Sequence, residues 1–534
     1  MNFFKFEPPK KTYPFKMKSS KENSDLGFDK SSNIMTDLKE NLTIIKNLTH
    51  SNVCSDIAFR NFIITINKQE YHAFIVFYDG LSDSNLIDEF ILRPLLAPYE
   101  FNNKNIKECI TNYILEQNQV KEINIWEKVL SSLIAGNCLI FVDTLDIVFD
   151  CDTKKLPTRS INKAENEMAV NGPSEAFVES LRSNTGLIRK YVKDENLVFE
   201  DIPVGNCGKT ICSIAYISNI TNNSLIDEVK RRISSIEVDY IIDSGQLIQF
   251  IEDKTYISEP LILNTERPDR VALHLTEGRV AILVAGSPNA LIVPAVLDDF
   301  MHTSEDNYVR YPYSAFLRFF RIPALLLSIL LPGLYIAVVT FHQEMIPTDL
   351  LFAIASAREQ VPLPMLLELL LMEIAFEIIR EASIRTPSPM GQTLGIVGTL
   401  ILGQAIVSAN IVSPILIIIV AMTGISSFAV ANYTLNYSFR ILRFLYIILG
   451  ALGGFFAVSI GMFIHLALLS VTTSFSIPYF SPITPMSKNV LRNGLSTSPI
   501  WKQEYRTEFL KTKRIRKEPK ISRQWIKNKK WKGD

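Results

Sequence analysis

The distribution of apolar residues constrains this chain more than any single motif. From 319 to 480 the sequence is mostly apolar, while 5–321 carries the charge of an ordinary soluble protein. The stretch 488–534 then holds fifteen Lys and Arg against four acids. One water-soluble core could not bury apolar surface segregated in this way. The expected architecture is a cytoplasmic α/β region of two small subdomains, then an α-helical multi-span membrane domain and a basic tail. The expected boundaries are 1–40 (disordered), 41–165 and 166–310 (α/β), 311–480 (membrane) and 481–534 (tail). Lys and Arg number 55, and so do Asp and Glu. Bulk charge therefore points to no nucleic-acid partner. The first eighteen residues lack an apolar h-region, so the N-terminal half is expected to stay in the cytoplasm.

The soluble half alternates helical and strand patterns, the mark of an α/β region. Helices are expected at 35–48, 84–96, 123–135 and 224–235, and another opening at Gly172-Pro173. Strands are expected at 70–78, 137–142, 145–149, 210–217 and 245–252. A closing hairpin pairs 270–285 with 289–294 around Gly286-Ser287-Pro288-Asn289. The polar stretch 152–171 reads as a connector, and no internal repeat is legible. Six cysteines (54, 109, 138, 151, 207 and 212) all lie in this half, with no CxxC and no histidine at zinc-ligand spacing. They read as free thiols in a reducing compartment, and no metal or cofactor is expected. Gly205-Asn-Cys-Gly-Lys-Thr210 resembles a P-loop but lacks the glycine spacing and the preceding apolar strand. It reads as a surface turn, and no enzyme signature remains.

The membrane half contains apolar segments at 320–341, 364–379, 394–431 and 444–472. The third, at 38 residues, is two spans with a turn near 410–414. Five crossings would leave seven Lys and Arg inside and sixteen outside. Four crossings leave eighteen inside and five outside. Positive charge near membrane ends prefers the cytoplasm, so four are preferred. Segment 364–379 is then re-entrant, interfacial or buried in an assembly. It carries Glu368, Glu373 and Glu377, followed by Arg380 and Glu381. At 100° per residue Glu373, Glu377, Arg380 and Glu381 share a face, with Glu368 nearly opposite Glu377. Intramembrane carboxylates face a cavity, a pathway or a partner. Two readings stand: a cation pathway lined by Glu373 and Glu377, or ion pairs with Arg380, Arg385, Arg358 or a neighbouring subunit's arginine. His342 and Glu344 form either a proton-linked pair or a capped surface helix end. Glycines at 395, 398, 403, 450, 453, 454 and 461 permit close helix packing.

Several blocks carry a family resemblance. They include Asn171-Gly-Pro-Ser-Glu-Ala-Phe177 through Leu181-Arg-Ser-Asn184 to Leu187-Ile-Arg189, then Thr265-Glu-Arg-Pro-Asp-Arg270 and Gly286-Ser-Pro-Asn-Ala-Leu-Ile-Val-Pro294. Further along are Phe341-His-Gln-Glu-Met-Ile-Pro347, Ala357-Arg358-Glu359 and Phe376-Glu-Ile-Ile-Arg-Glu-Ala382. Together these resemble the A subunit of bacterial spore germinant receptors, the GerA family, over about 33–480. Gln360 and Ser408 depart from the family, which usually has glycine and an acidic residue there. The resemblance implies a transporter-like B subunit and a lipoprotein C subunit as partners, and the spore inner membrane as location. It also implies a homo-oligomeric ring, a pentamer, acting as a nutrient-gated channel that releases monovalent cations. In that ring Glu373, Glu377, Glu368 and Arg380 are candidate pathway residues. His342, Glu344, Arg358 and Glu359 are candidates for gating or subunit interfaces. The rivals are a secondary transporter, which predicts repeats and broken helices, and a non-conducting scaffold. The tail's basic runs suit anionic lipid, at about 1 kcal/mol per charge, or serve only as a solvated topology signal.

Overall fold

A computed structural model describes residues 15–18, 30–101, 105–155, 167, 171–385, 403–484, 499 and 503–517. Most of the expected disordered segment 1–40, most of the connector with the expected boundary at 165, Gly395, Gly398 and most of the basic tail lie outside the described residues; within 1–40, Met17 and Ile34 are buried in the lobe cores and α1 begins at Leu38, against the expected disorder.

The first lobe opens with α1 (Leu38–Leu48), whose N-terminus is capped by Asp37 accepting from the Lys39 N–H at 2.8 Å. Strands β1 (Ile57–Ile66), β2 (Gln69–Tyr78), β3 (Val120–Ile123), β4 (Cys138–Val142) and β5 (Val148–Cys151) form its sheet, with α2 (Trp126–Ile134) between β3 and β4. The second lobe opens with α3 (Leu181–Tyr191). It continues through β6 (Leu197–Val204), β7 (Thr210–Ile217), α4 (Asn223–Ser234), α5 (Ser244–Ile251), β8 (Leu263–Thr265), α6 (Pro268–Thr276), β9 (Val280–Val284) and β10 (Ala290–Val293). The sheet orders are β1-β2-β4-β5-β3 and β6-β7-β9-β10-β8, antiparallel throughout. Counted within each lobe, both read 1-2-4-5-3, with a helix before the first strand, helical segments between the second and third (84–95 and 106–114 in the first lobe) and a helix between the third and fourth. The soluble half is thus one unit built twice. What the copies share is pattern: β4 and β9 are central strands, buried along their whole length, and both are unbroken apolar runs.

Three expected elements differ. The strand at 245–252 is the helix α5, because Leu247 and Ile251 bury at i,i+4 and Asp243 accepts from the Gly245 N–H at 3.3 Å. The expected hairpin forms between β9 and β10, but the first part of 270–285 is α6: Pro268 occupies its first turn, Val271 and Leu275 face the core, and Gly278 at φ 96° follows its end. No helix opens at Gly172; the chain stays irregular until Ser180 caps α3.

The lobes join through the end of α3. Arg189 forms a bidentate pair with Asp56 and also donates to the Leu197 carbonyl at 3.1 Å. Its guanidinium lies 3.9 Å from the centre of the Tyr78 ring. Burial and the Asp56 carboxylate push the neighbouring Cys54 thiol up to about 12. A Cβ at Gly186 would lie 2.5 Å from the Gly80 carbonyl oxygen, so close contact of the two lobes requires glycine there.

The helical half comprises α7 (Tyr311–Phe341), α8 (Thr348–Arg358), α9 (Met365–Arg385), α10 (Pro414–Phe428) and α11 (Tyr433–Val471). Of these, α7 and α11 are long and apolar enough to cross a membrane. The expectation of one span at 444–472 is corrected. Gly453 and Gly454 leave helical geometry, Gly454 with φ 58° and ψ −146°. The Tyr446 hydroxyl sits 3.3 Å from His465 Nδ1. A straight helix would hold those residues roughly 28 Å apart. Helix α11 is therefore a hairpin, with arms at 433–452 and 455–471. Its tip meets the far end of α7, where the His342 ring lies 4.8 Å from that of Phe455. Both arms touch the second lobe at their other ends, Ser438 on the Ser258 carbonyl and His465 on Glu259. The chain then returns to that lobe: Ser474 donates to the Leu261 carbonyl at 2.7 Å, and Leu510 of the tail is fully buried against it.

A buried acidic helix and its arginine partners

Helix α9 carries the candidate carboxylates. It packs among α7, α10 and the first arm of α11, with Leu369 and Met372 in their shared core. Its outer face shows Leu367, Leu371, Ile374 and Ile378. Glu368 and Glu373 are completely buried, although the helical wheel puts them far apart. The reason is that neighbours surround α9 on more than one side.

Each carboxylate has a specific partner. Glu373 accepts from Arg443 Nη1 at 2.8 Å, and Arg443 Nε donates to the Ser328 carbonyl of α7 at 2.8 Å. Glu377 pairs with Arg440, whose Nε lies 2.9 Å away, and sits 3.8 Å from Arg380. Glu368 accepts the Ser413 N–H at 2.6 Å, at the start of α10, where a helix N-terminus favours an anion. Arg358 Nε stands 3.8 Å from Glu368, too far for a direct hydrogen bond. Arg380 donates to Ser427 at 2.9 Å and lies over the rings of Phe376 and Phe428.

The pairing is incomplete. Tyr335 Oη, Arg358 Nε, Glu368 Oε2, Ser413 Oγ, Glu373 Oε1, Arg443 Nη2 and two nitrogens of Arg380 are buried with no hydrogen-bond partner among the described residues. Such atoms cost about 1–3 kcal/mol each when nothing satisfies them. Together they mark a polar seam along α9, from the Arg358 end to the Arg380 end. A seam of this kind has polar partners for ordered water.

The other candidates lie elsewhere. His342 Nδ1 sits 3.2 Å from the Ala337 carbonyl at the end of α7. Glu344 is exposed in the turn Gln343–Met345, and among the described residues no hydrogen bond or ion pair joins it to His342. Glu359 is exposed at the end of α8. The Arg385 side chain is outside the described residues. Arg440 and Arg443 were not singled out as partners from sequence. The legible signal is their spacing: two arginines three apart, opposite two glutamates four apart, on antiparallel helices.

Two α/β lobes are fused to a helical bundle with a charged interior, and two of its helices are long and apolar enough to cross a membrane. The chain belongs to the Bacillus/Clostridium GerA spore germination protein family, whose model matches residues 43–509. It is 40% identical over 458 residues to spore germination protein KA of Bacillus subtilis (strain 168), covering 85% of this chain and 83% of that one. It is 34% identical over 493 residues to spore germination protein B1 of the same organism, covering 91% and 98%. Among solved structures, the N-terminal domain of the A subunit of the Bacillus megaterium spore germinant receptor GerK3 is 30% identical. That match covers 50% of this chain and 98% of the other, with a TM-score of 0.37.

Proposed function

We propose that this chain is the A-type subunit of a nutrient germinant receptor in the spore inner membrane. Several copies, a pentamer in the family's arrangement, form a ring that passes monovalent cations. A transporter-like B subunit senses the nutrient, and a lipoprotein C subunit completes the receptor. The observation that carries this reading is the polar seam: ionised groups inside an apolar bundle, paired but not satisfied. Nutrient binding can open the ring only through different affinities for its two states. In the closed state Glu373–Arg443 and Glu377–Arg440 latch α9 to the hairpin. In the open state the seam hydrates, and Glu373 and Glu377 face the permeating ion. The seat of the tail on the second lobe supports one side, the spore core, for both.

A scaffold reading has one observation in its favour: the carboxylates of α9 find arginine partners within a single copy. The two readings part on one experiment. Spores carrying Glu373→Gln with Glu377→Gln are assayed for potassium release, with subunit abundance measured in the same membranes. Normal abundance with abolished or altered release is the expected result. Normal abundance with unchanged release would sink the pathway role, and lost abundance would favour the scaffold.

A further inference from the structure

Where α7 and both arms of α11 reach the second lobe, they enclose a cavity of about 280 Å³. That is close to the lower end of the range for small-molecule sites, about 300–1,000 Å³. The wall is apolar, built from Leu325, Ile329 and Leu330 of α7 and Phe439 and Leu469 of α11. The polar groups, Arg318 among them, gather at the lobe end, and most are engaged with one another. Glu259 is 2.6 Å from His465, Asp298 is 3.1 Å from His302, and Arg321 donates to Asp306 at 2.6 Å. What remains is an apolar chamber with no side chain to fill it.

The opening points to the occupant. Leu326 of α7 and Met462 and Leu466 of the returning arm line the cavity and are solvent-exposed, so the cavity is open at their side. They belong to the two helices that are long and apolar enough to cross a membrane. The cavity therefore opens sideways, onto whatever surrounds those helices. Just before it along α7, Tyr311, Tyr313, Phe316, Phe319 and Phe320 are all exposed. Of these, Tyr311 and Tyr313 are the kind of residue that sits at the depth of lipid headgroups, with the phenylalanines following toward the apolar stretch. The chamber begins within two turns of them, at the top of the hydrocarbon.

We propose that this cavity binds one acyl chain of a bilayer phospholipid, inserted between α7 and the returning arm of α11. The headgroup stays at the interface beside the first turns of α7. The chain wedges the joint at which the second lobe meets the helices, next to the Glu259–His465 contact. Lipid composition thereby acts on the coupling between lobe and bundle. This inference is independent of conduction and stands whether the ring is a channel or a scaffold.

The test uses the full chain in nanodiscs of phosphatidylglycerol and phosphatidylethanolamine, with a trace of phospholipid carrying a diazirine at its chain terminus. Cross-linked positions are mapped by mass spectrometry. The expected result is labelling concentrated on 325–330 and 462–469, above that on the exposed residues Leu452 and Phe456. Ile329→Trp fills the chamber and should abolish that enrichment, leaving labelling at Leu452 and Phe456 unchanged. Leu466→Trp blocks the mouth from an exposed position and should do the same if Ile329→Trp fails to fold. Labelling no higher in the cavity than at Phe456, or enrichment that survives the tryptophan variants, would overturn the proposal. Cavity labelling by a free diazirine fatty acid but not by the phospholipid would overturn it too.

Discussion

Both halves of the molecule bury arginine–carboxylate pairs, and the pairs made by Arg189 and Arg267 in the lobes differ from the Glu373–Arg443 pair in the helices. In the lobes, Arg189 donates to both oxygens of Asp56 and to a carbonyl. Arg267 donates to both oxygens of Asp269 and to the carbonyls of Glu167 and Pro173. None of these four side chains leaves a buried polar atom unpartnered. In the helices, Glu373 offers Arg443 one oxygen and leaves the other orphaned, and Arg358 and Glu368 do not meet. A satisfied buried pair is fixed in place, because removing either partner strands a charge. An unsatisfied pair has spare donors and acceptors and can exchange its partner for water or an ion. Arg189–Asp56 and Arg267–Asp269 are fasteners, while Glu373–Arg443 keeps groups to spare; the division is not by region alone, since Arg279 in the second lobe leaves its Nε unpartnered among the described residues and Glu377–Arg440 in the bundle is bidentate.

That contrast can be broken at its strongest point first. Arg189→Leu strands Asp56 at the lobe interface and should cost about 3–5 kcal/mol. Thermal unfolding of the purified full chain reads it, and a loss below about 1 kcal/mol, the range of exposed pairs, would erase the distinction. Gly454→Ala comes next. Its backbone has φ 58°, and the new Cβ would lie 2.8 Å from His342 Cε1. Strain of this kind costs about 1–3 kcal/mol. Cysteines placed at Tyr446 and His465 should cross-link in the parent and fail to do so with Gly454→Ala.

A double-mutant cycle on Glu373 and Arg443 sharpens the comparison. Polar pairs between membrane helices couple by about 0.6 kcal/mol, up to roughly 1.7. A coupling in that range, well below the cost at Arg189, fits a latch; a value above 3 would make the pair a fastener like those in the lobes. The smallest effect is chemical. At pH 8 a maleimide should label the exposed Cys207 and spare Cys54, which is buried and whose thiol is pushed up to about 12. Mass spectrometry of the intact chain settles it, and labelling of Cys54 at the rate of Cys207 would show that the lobe interface opens.

Much of this was legible in the sequence, and the gaps have physical causes. Strand β7 and the edges of β2, α1 and α4 follow from period and capping. Helix α5 reads as a strand because its isoleucines and phenylalanine favour strands, and tertiary packing overrides that preference. The duplication of the lobes escapes notice because it is kept in strand order and not in side-chain identity. The hairpin of α11 is hidden for another reason: Gly453-Gly454 sits inside an apolar run, where glycine usually serves packing, and only contacts across the fold reveal a reversal. The carboxylates of α9 stand out at once, since charge in such a segment demands an explanation. Their partners do not, because Arg440 and Arg443 look like a charged helix entrance until α9 is placed beside them. The resemblance supplied the block ending at Arg189, and the geometry supplies its chemistry: Asn184 bridges the Val178 backbone, and Arg189 ties the lobes together.

The central claim is that the pair of Glu373 and Arg443 is kept for what it does when it parts. A charge swap tests this most directly: Glu373→Arg combined with Arg443→Glu, with thermal stability and potassium release measured on the same protein. The account predicts that the swap recovers most of the stability lost by Glu373→Gln alone, while release stays altered because the seam now presents the opposite charge from α9. Release restored to the parent level along with stability would contradict it, and would make the pair structural.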